Sequence, residues 1–263
     1  MLFVCEAVQT MKRFLIACTL LAVIIPAAVP EHAAPLARTG TYTDKVPAEG
    51  ALRPEWAPIF SEAFRPGTSI EFELYVPKTY DPSKPAGILV YISPSRSGAI
   101  PNTWKRVIDQ RNLIWVSVDH SGNDRTVQRR MAEALASADY VRNHYRTDET
   151  RTYIAGFSGG GRMASIISYY FADLFEGALY ICGVNTFPEQ DPVAIARMRM
   201  NRFVFLTGTE DFNEDDTRSV FDRYKAAGMD GIKIMVVQNL HHELPRGKDF
   251  DTAMDWLDQP PGP

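Results

Sequence analysis

The feature that most constrains this chain is a series of short, unbroken apolar segments, each followed by residues of helical period. "GILVYI" (87–92), "LIWVSV" (113–118), "TYIA" (152–155), "ALYIC" (178–182), "FVFLT" (203–207) and "IKIMVV" (232–237) read as strands covered on both faces. Over 126–146, Val127, Met131, Leu135, Ala138, Val141 and Tyr145 recur three or four residues apart and form one helical stripe. Further helical patterns begin near Trp104, Gly159, Pro192, Asp216 and Lys248. Strands alternating with helices return to one sheet through right-handed crossovers. The expected class is α/β, with a mostly parallel sheet, helices on both faces and a site at the strands' carboxyl ends. "IEFELYV" (70–76) differs, because Ile70, Phe72, Leu74 and Val76 alternate with polar or amphipathic residues, as in an edge or antiparallel strand.

Ahead of this pattern the chain divides in two. Residues 1–28 read as a secretory signal: Lys12 and Arg13, an apolar run from Phe14 to Ile25, then small residues, with cleavage expected between Ala27 and Ala34. Met11 is an alternative start. The run is shorter than the ~20 residues of a membrane span, and Cys18 of the lipobox-like "LIAC" sits inside the apolar run instead of after it. The expected location is secreted or periplasmic, with no membrane attachment after signal removal. Residues 29–67 are rich in Ala, Pro and Thr and read as a leader that becomes a surface-packed segment, leaving 68–263 as the folded domain. Signal removal takes Cys5 and Cys18 and leaves Cys182, in an apolar run, as a buried small residue without a disulfide partner. With 28 basic and 32 acidic residues, the chain has no electrostatic case for a nucleic-acid partner.

Gly156-Phe157-Ser158-Gly159-Gly160 stands between the run "TYIA" and the helical "MASIISYY", which is G-x-S-x-G at a strand-to-helix turn. Such a turn exposes a serine oxygen at a helix N-terminus, where developing negative charge is favoured. A phosphate-binding loop is excluded: Arg162 and Met163 stand where that motif needs Lys and Ser or Thr. A serine hydroxyl is a weak nucleophile, so it needs a histidine base and an acid, in the chain order Ser, acid, His. After "FVFLT", Asp211 in "GTEDFNEDD" is the favoured acid; Glu210 competes, and Asp215 and Asp216 read as the start of the next helix. After "IKIMVV" come His241 and His242, of which His242 opens "HELP" before the last helix and is favoured, with His241 lining the loop. Consecutive side chains rarely converge on one ion, so no metal is expected at His241, His242 and Glu243.

On "AGFSGGGRMAS", "LTGTEDFN" and "HHELP" followed by "FDTAMDWLD", the chain from about residue 68 resembles the α/β-hydrolases. It is similar to secreted polyhydroxyalkanoate depolymerases and feruloyl esterases. The resemblance implies a small-molecule or polymeric ester substrate, no cofactor, and a triad of Ser158, His242 and Asp211. It also implies an oxyanion hole after the third strand, where "ISPSRSG" replaces the His-Gly pair often found there. Pro94 has no N–H to donate, so the expected donors are the N–H groups of Gly159 and Ser95. Trp104, Asn123, Asn185 and His241 are candidates to meet substrate. The stretch from Gly183 to Asn201 has space for one short helix, so no large lid domain is expected. The runner-up activities are a peptidase using the same triad and a non-catalytic binding protein on the same scaffold.

Overall fold

The computed structural model describes residues 38–188 and 191–259. The signal peptide, its cleavage site, Cys5 and Cys18 lie outside these residues. Eight strands form one sheet: β1 (Gly40–Pro47), β2 (Ser69–Val76), β3 (Ala86–Ile92), β4 (Leu113–Val118), β5 (Thr147–Phe157), β6 (Gly177–Ile181), β7 (Arg202–Gly208) and β8 (Ile232–Val237). Among the described residues the helices are α1 (Asn102–Gln110), α2 (Val127–His144), α3 (Gly159–Tyr170), α4 (Pro192–Met198), α5 (Glu214–Ala226) and α6 (Gly247–Leu257). The strand order is β1-β2-β4-β3-β5-β6-β7-β8. β2 pairs antiparallel with β1 and β4, and every other pairing is parallel.

Side-chain alternation along the central strands builds two cores. On β3, Ile88, Val90 and Ile92 enter the core shared with α2, α3 and α5, while Leu89 and Tyr91 enter the one filled by Trp104, Val107 and Ile108 of α1 and Phe250, Met254 and Leu257 of α6. A strand flanked by helices on both sides needs apolar residues at every position, which is why these runs are unbroken.

Three expectations change. The segment read as a leader contributes β1, the sheet's edge strand, so β2 is antiparallel but internal. β1 carries one buried side chain, Tyr42, and owes its strand conformation to the ladder with β2 and not to an apolar pattern of its own. The following turns lay Phe60 into the core and bring Arg53 Nε to 2.8 Å from Asp139 Oδ1. That segment meets α2 at Asp139, which the helix buries together with Arg130, Glu133 and its apolar stripe. Finally, β8 is half-buried along its length because it forms the other edge.

Candidate active site

The turn after β5 is built for close approach. Ser158 has φ 54° and ψ −119°, outside the regions where side chains are usually found, and its N–H donates to Ile181 O at 2.8 Å. A Cβ on Gly156 would lie 2.3 Å from the Gly160 carbonyl, and one on Gly160 would lie 1.9 Å from Ile92 O. The glycines therefore let β5, α3 and the end of β3 touch, which holds the serine upright over the helix N-terminus. Arg162, one turn along α3, donates to Asn213 Oδ1 at 3.1 Å, and Asn213 Nδ2 donates to Cys182 O at 2.8 Å. The acid-bearing loop is thereby tied to the serine-bearing helix.

Three side chains from three loops at the strands' carboxyl ends form one hydrogen-bonded chain. Ser158 Oγ lies 2.9 Å from His242 Nε2, and His242 Nδ1 lies 2.8 Å from Asp211 Oδ1. The Asp211 side chain is fully buried and that of His242 is 21% exposed. Thr207 Oγ1 donates to Asp211 Oδ2 at 2.7 Å, and the Asn213 N–H to Oδ1 at 3.1 Å. Burial opposes ionisation of Asp211, but the hydrogen bonds from Thr207, His242, Asn213 and Cys182 outweigh it and hold the carboxyl below its usual range. The imidazole is flanked by Phe157 at 5.0 Å and stacked on Phe212 at 4.1 Å; Phe212 itself is 78% exposed.

The competing residues lie elsewhere or do other work. Glu210, Asp215 and Asp216 are exposed, the last two in the first turn of α5, where carboxylates suit the helix dipole. His241 is exposed at the rim, and its carbonyl accepts from the Glu243 N–H at 2.8 Å. Asn185 is half-buried, its N–H donating to Ser165 Oγ at 3.0 Å; that bond fixes its backbone to α3. Among the described residues the one group of three potential metal ligands is Cys182, Asp211 and His242, with donor atoms within 4.8 Å of one another. It is a proton-sharing network: burial pushes the Cys182 thiol up, so no thiolate is presented, and the His242–Asp211 bond occupies the atoms that would ligate.

Two predicted contacts are corrected. Trp104 is fully buried, stacked on Phe250 at 4.1 Å, and its indole N–H donates to Pro245 O at 3.0 Å. It braces the loop carrying His242 from below and forms no pocket wall. The Ser95 N–H donates to Ser93 Oγ at 3.1 Å, a short loop-internal bond that Ser93, two residues earlier, makes available. The Ser95 hydroxyl is likewise engaged with Ser97 O at 3.3 Å. The loop after β3 therefore offers no free donor at Ser95. Sequence reasoning did not single out Thr207, Asn213, Arg162, Phe212 or Arg130. Thr207 and Asn213 flank Asp211 closely enough to have been suspected, whereas nothing local marks Arg130.

Comparison with known proteins bears on the fold. Residues 118–191 match the prolyl oligopeptidase family, a stretch short of half the chain. No curated protein matches. Among solved structures, a ferulic acid esterase superposes with a TM-score of 0.61 at 16% identity, covering 81% of this chain and 94% of that one. An S-formylglutathione hydrolase from Staphylococcus aureus gives 0.60 at 14% identity, covering 84% and 99%. A putative dipeptidyl aminopeptidase IV from Bacteroides ovatus gives 0.58 at 12% identity, covering 84% of this chain but 36% of that one. The chain has the α/β-hydrolase fold, and among the described residues one short helix, α4, stands between β6 and β7 where a lid domain would be inserted.

Proposed function

We propose that the protein is a serine hydrolase that cleaves carboxylic esters through an acyl-enzyme. The observation that carries this reading is the continuous hydrogen-bonded chain from Ser158 Oγ through His242 to Asp211. His242 Nε2 takes the serine proton as Oγ attacks the ester carbonyl, and Asp211 fixes the imidazole's tautomer and stabilises its cation. The imidazolium then protonates the leaving alcohol, and the acyl group stays on Ser158. Water, deprotonated by the same nitrogen, releases the acid and restores the serine. None of these steps calls on a metal or an organic cofactor. The Ser158 turn, strained in the free protein, keeps Oγ in attacking position without reorganisation.

Bulky or polymeric esters, of feruloyl or polyester type, suit the short β6–β7 segment, which leaves the approach to Ser158 uncapped by any large insertion. The likeness to a ferulic acid esterase is a likeness of fold and supports the choice of substrate only as far as that. Export to a secreted or periplasmic location follows from the basic and apolar pattern of residues 1–28. A peptidase reading is favoured by the prolyl oligopeptidase match, since the same triad cleaves amides. Turnover of a p-nitrophenyl ester series, from acetate to long acyl chains and a feruloyl ester, beside matched p-nitroanilides separates the two. Ester turnover abolished by Ser158→Ala is the expected result; anilide turnover exceeding it would make the protein a peptidase.

A further inference from the structure

A triad lowers the barrier only if something receives the charge that develops on the carbonyl oxygen, and losing one such donor costs about 100- to 1000-fold in turnover. Gly159 supplies one: as the first residue of α3 its N–H has no acceptor within the helix. The second donor expected at Ser95 is already bonded inside its own loop. The side chain beside Gly159 belongs to another loop. A Cβ placed on Gly159 would lie 2.2 Å from Asn123 Oδ1 and 2.7 Å from Asn123 Nδ2, so the Asn123 amide rests directly on the Gly159 backbone.

Asn123 is immobilised from two directions. Its N–H donates to Pro94 O at 2.9 Å, and the neighbouring His120 N–H donates to Arg96 O at 2.6 Å, which bolts the loop after β4 to the loop after β3. Its Oδ1 accepts from Arg130 Nη1 at 3.1 Å. A guanidinium can only donate, so Oδ1 must face Arg130 and Nδ2 must face the other way. Nδ2 has no acceptor among the described residues, and Asn123 is exposed.

Arg130 is itself unusual. It is 5% exposed, and its acceptors are all neutral: Asn123 Oδ1, Ser93 O at 2.8 Å and Gly159 O at 3.5 Å. Neither nearby carboxylate bonds to it: Asp124 acts only at a distance, and Glu133 accepts from Ser121 Oγ and from Arg129 Nε at 2.8 Å. Burial pushes the Arg130 guanidinium down to about 10, against the pull of Glu133 and Asp124. One buried cation thus grips the loop after β3, the loop after β4 and the start of α3, the three segments that meet beside Ser158.

We infer that the Asn123 side-chain amide is the second oxyanion donor beside the Gly159 N–H, and that Arg130 is the positioning residue that fixes its orientation. This rests on the hydrolase reading, and it gives the ester carbonyl a place: its oxygen between Gly159 N and Asn123 Nδ2, its carbon over Ser158 Oγ. As Oγ bonds to carbon, the carbonyl π electrons move onto that oxygen, and both donors shorten onto it.

Steady-state kinetics on a p-nitrophenyl ester, with affinity for an arylboronic acid that forms a tetrahedral adduct on serine, test the assignment. Asn123→Ala should lower kcat about 100- to 1000-fold with KM within ~3-fold, and weaken boronate binding by a comparable factor. Gly159→Ala keeps the backbone N–H but pushes the amide aside, so it should lower kcat in the parent and cost far less in the Asn123→Ala background. Arg130→Lys keeps a cation but cannot hold three carbonyls at once, and should lower kcat by about 10-fold without altering KM. An Asn123→Ala enzyme with parental kcat and boronate affinity would overturn the assignment, as would a loss carried by KM alone. No ester turnover by the parent, with no labelling of Ser158 by a fluorophosphonate, is a different result and would sink the hydrolase reading itself.

Discussion

The two sides of the Ser158 oxygen are built in opposite ways. On one side, the Ser158 turn is local: glycines at 156, 159, 160 and 161, with the end of one strand before them and the start of one helix after. On the other, the corner formed by residues 93–98, 119–125 and Arg130 is assembled from segments joined by backbone bonds such as Asn123 N–H to Pro94 O. The first holds its geometry through backbone contacts that only glycine permits. The second holds it through one buried guanidinium and a few loop-to-loop bonds. Local construction is readable and intolerant of substitution, whereas assembled construction is hard to read and can be loosened by degrees.

Breaking that comparison begins with Ser158. Ser158→Ala should lower kcat for a p-nitrophenyl ester by roughly 10⁶-fold, read as steady-state turnover, because the base and the acid have nothing to act through. Asp211→Asn comes next, at about 10⁴-fold, since an amide in place of the carboxylate favours the wrong histidine tautomer. The same variant has a stability signature. The Asp211 carboxyl is held below its usual range in the folded protein, so its ionised form stabilises the fold above that range, and this contribution disappears as pH falls through the lowered value. Urea unfolding of parent and Asp211→Asn should therefore differ most near neutrality and converge in acid. Equal separation at all pH values would show that the hydrogen bonds to Asp211 do not depend on its charge.

Smaller effects sharpen the contrast on the assembled side. Trp104→Phe keeps the stacking on Phe250 but deletes the donor to Pro245 O, and should cost ~1 kcal/mol in denaturant unfolding. It should also slow turnover equally for short and long acyl esters; selective loss on one acyl length would restore Trp104 as a pocket wall. Phe212→Ala removes the exposed ring stacked on His242. An aromatic pair contributes about 0.5–1.5 kcal/mol, so kcat/KM should fall by at most about 10-fold.

The positions of most strands and helices could be read from periodicity. α2 runs over Val127–His144 against an expected 126–146, and α3 and α4 begin at Gly159 and Pro192 as the pattern indicates. β1 could not be read, because "GTYTDKVP" buries one side chain and becomes a strand only by pairing with β2. Of the site, Ser158, Asp211 and His242 were legible because each follows a strand in a fixed chain order. Asn123 was marked as a candidate to meet substrate, but not as a donor to the carbonyl oxygen. Arg130 was invisible because it lies on the polar side of an amphipathic pattern, where arginine ordinarily meets water.

What the sequence by itself determined is therefore whatever depends on neighbours in the chain: the alternation of strand and helix, the parallel class of the sheet and the strained turn under Ser158. Those properties follow from side-chain period and from glycine's missing Cβ, and both act over a few residues. Only the tertiary structure decided which donor is free at the carbonyl oxygen. That outcome depends on Ser93 capturing the Ser95 N–H, on Asn123 N–H pairing with Pro94 O and on Arg130 being buried against Asn123 Oδ1. Hydrogen-bond capture and desolvation are set by which segments meet in space, and no period along the chain records that meeting.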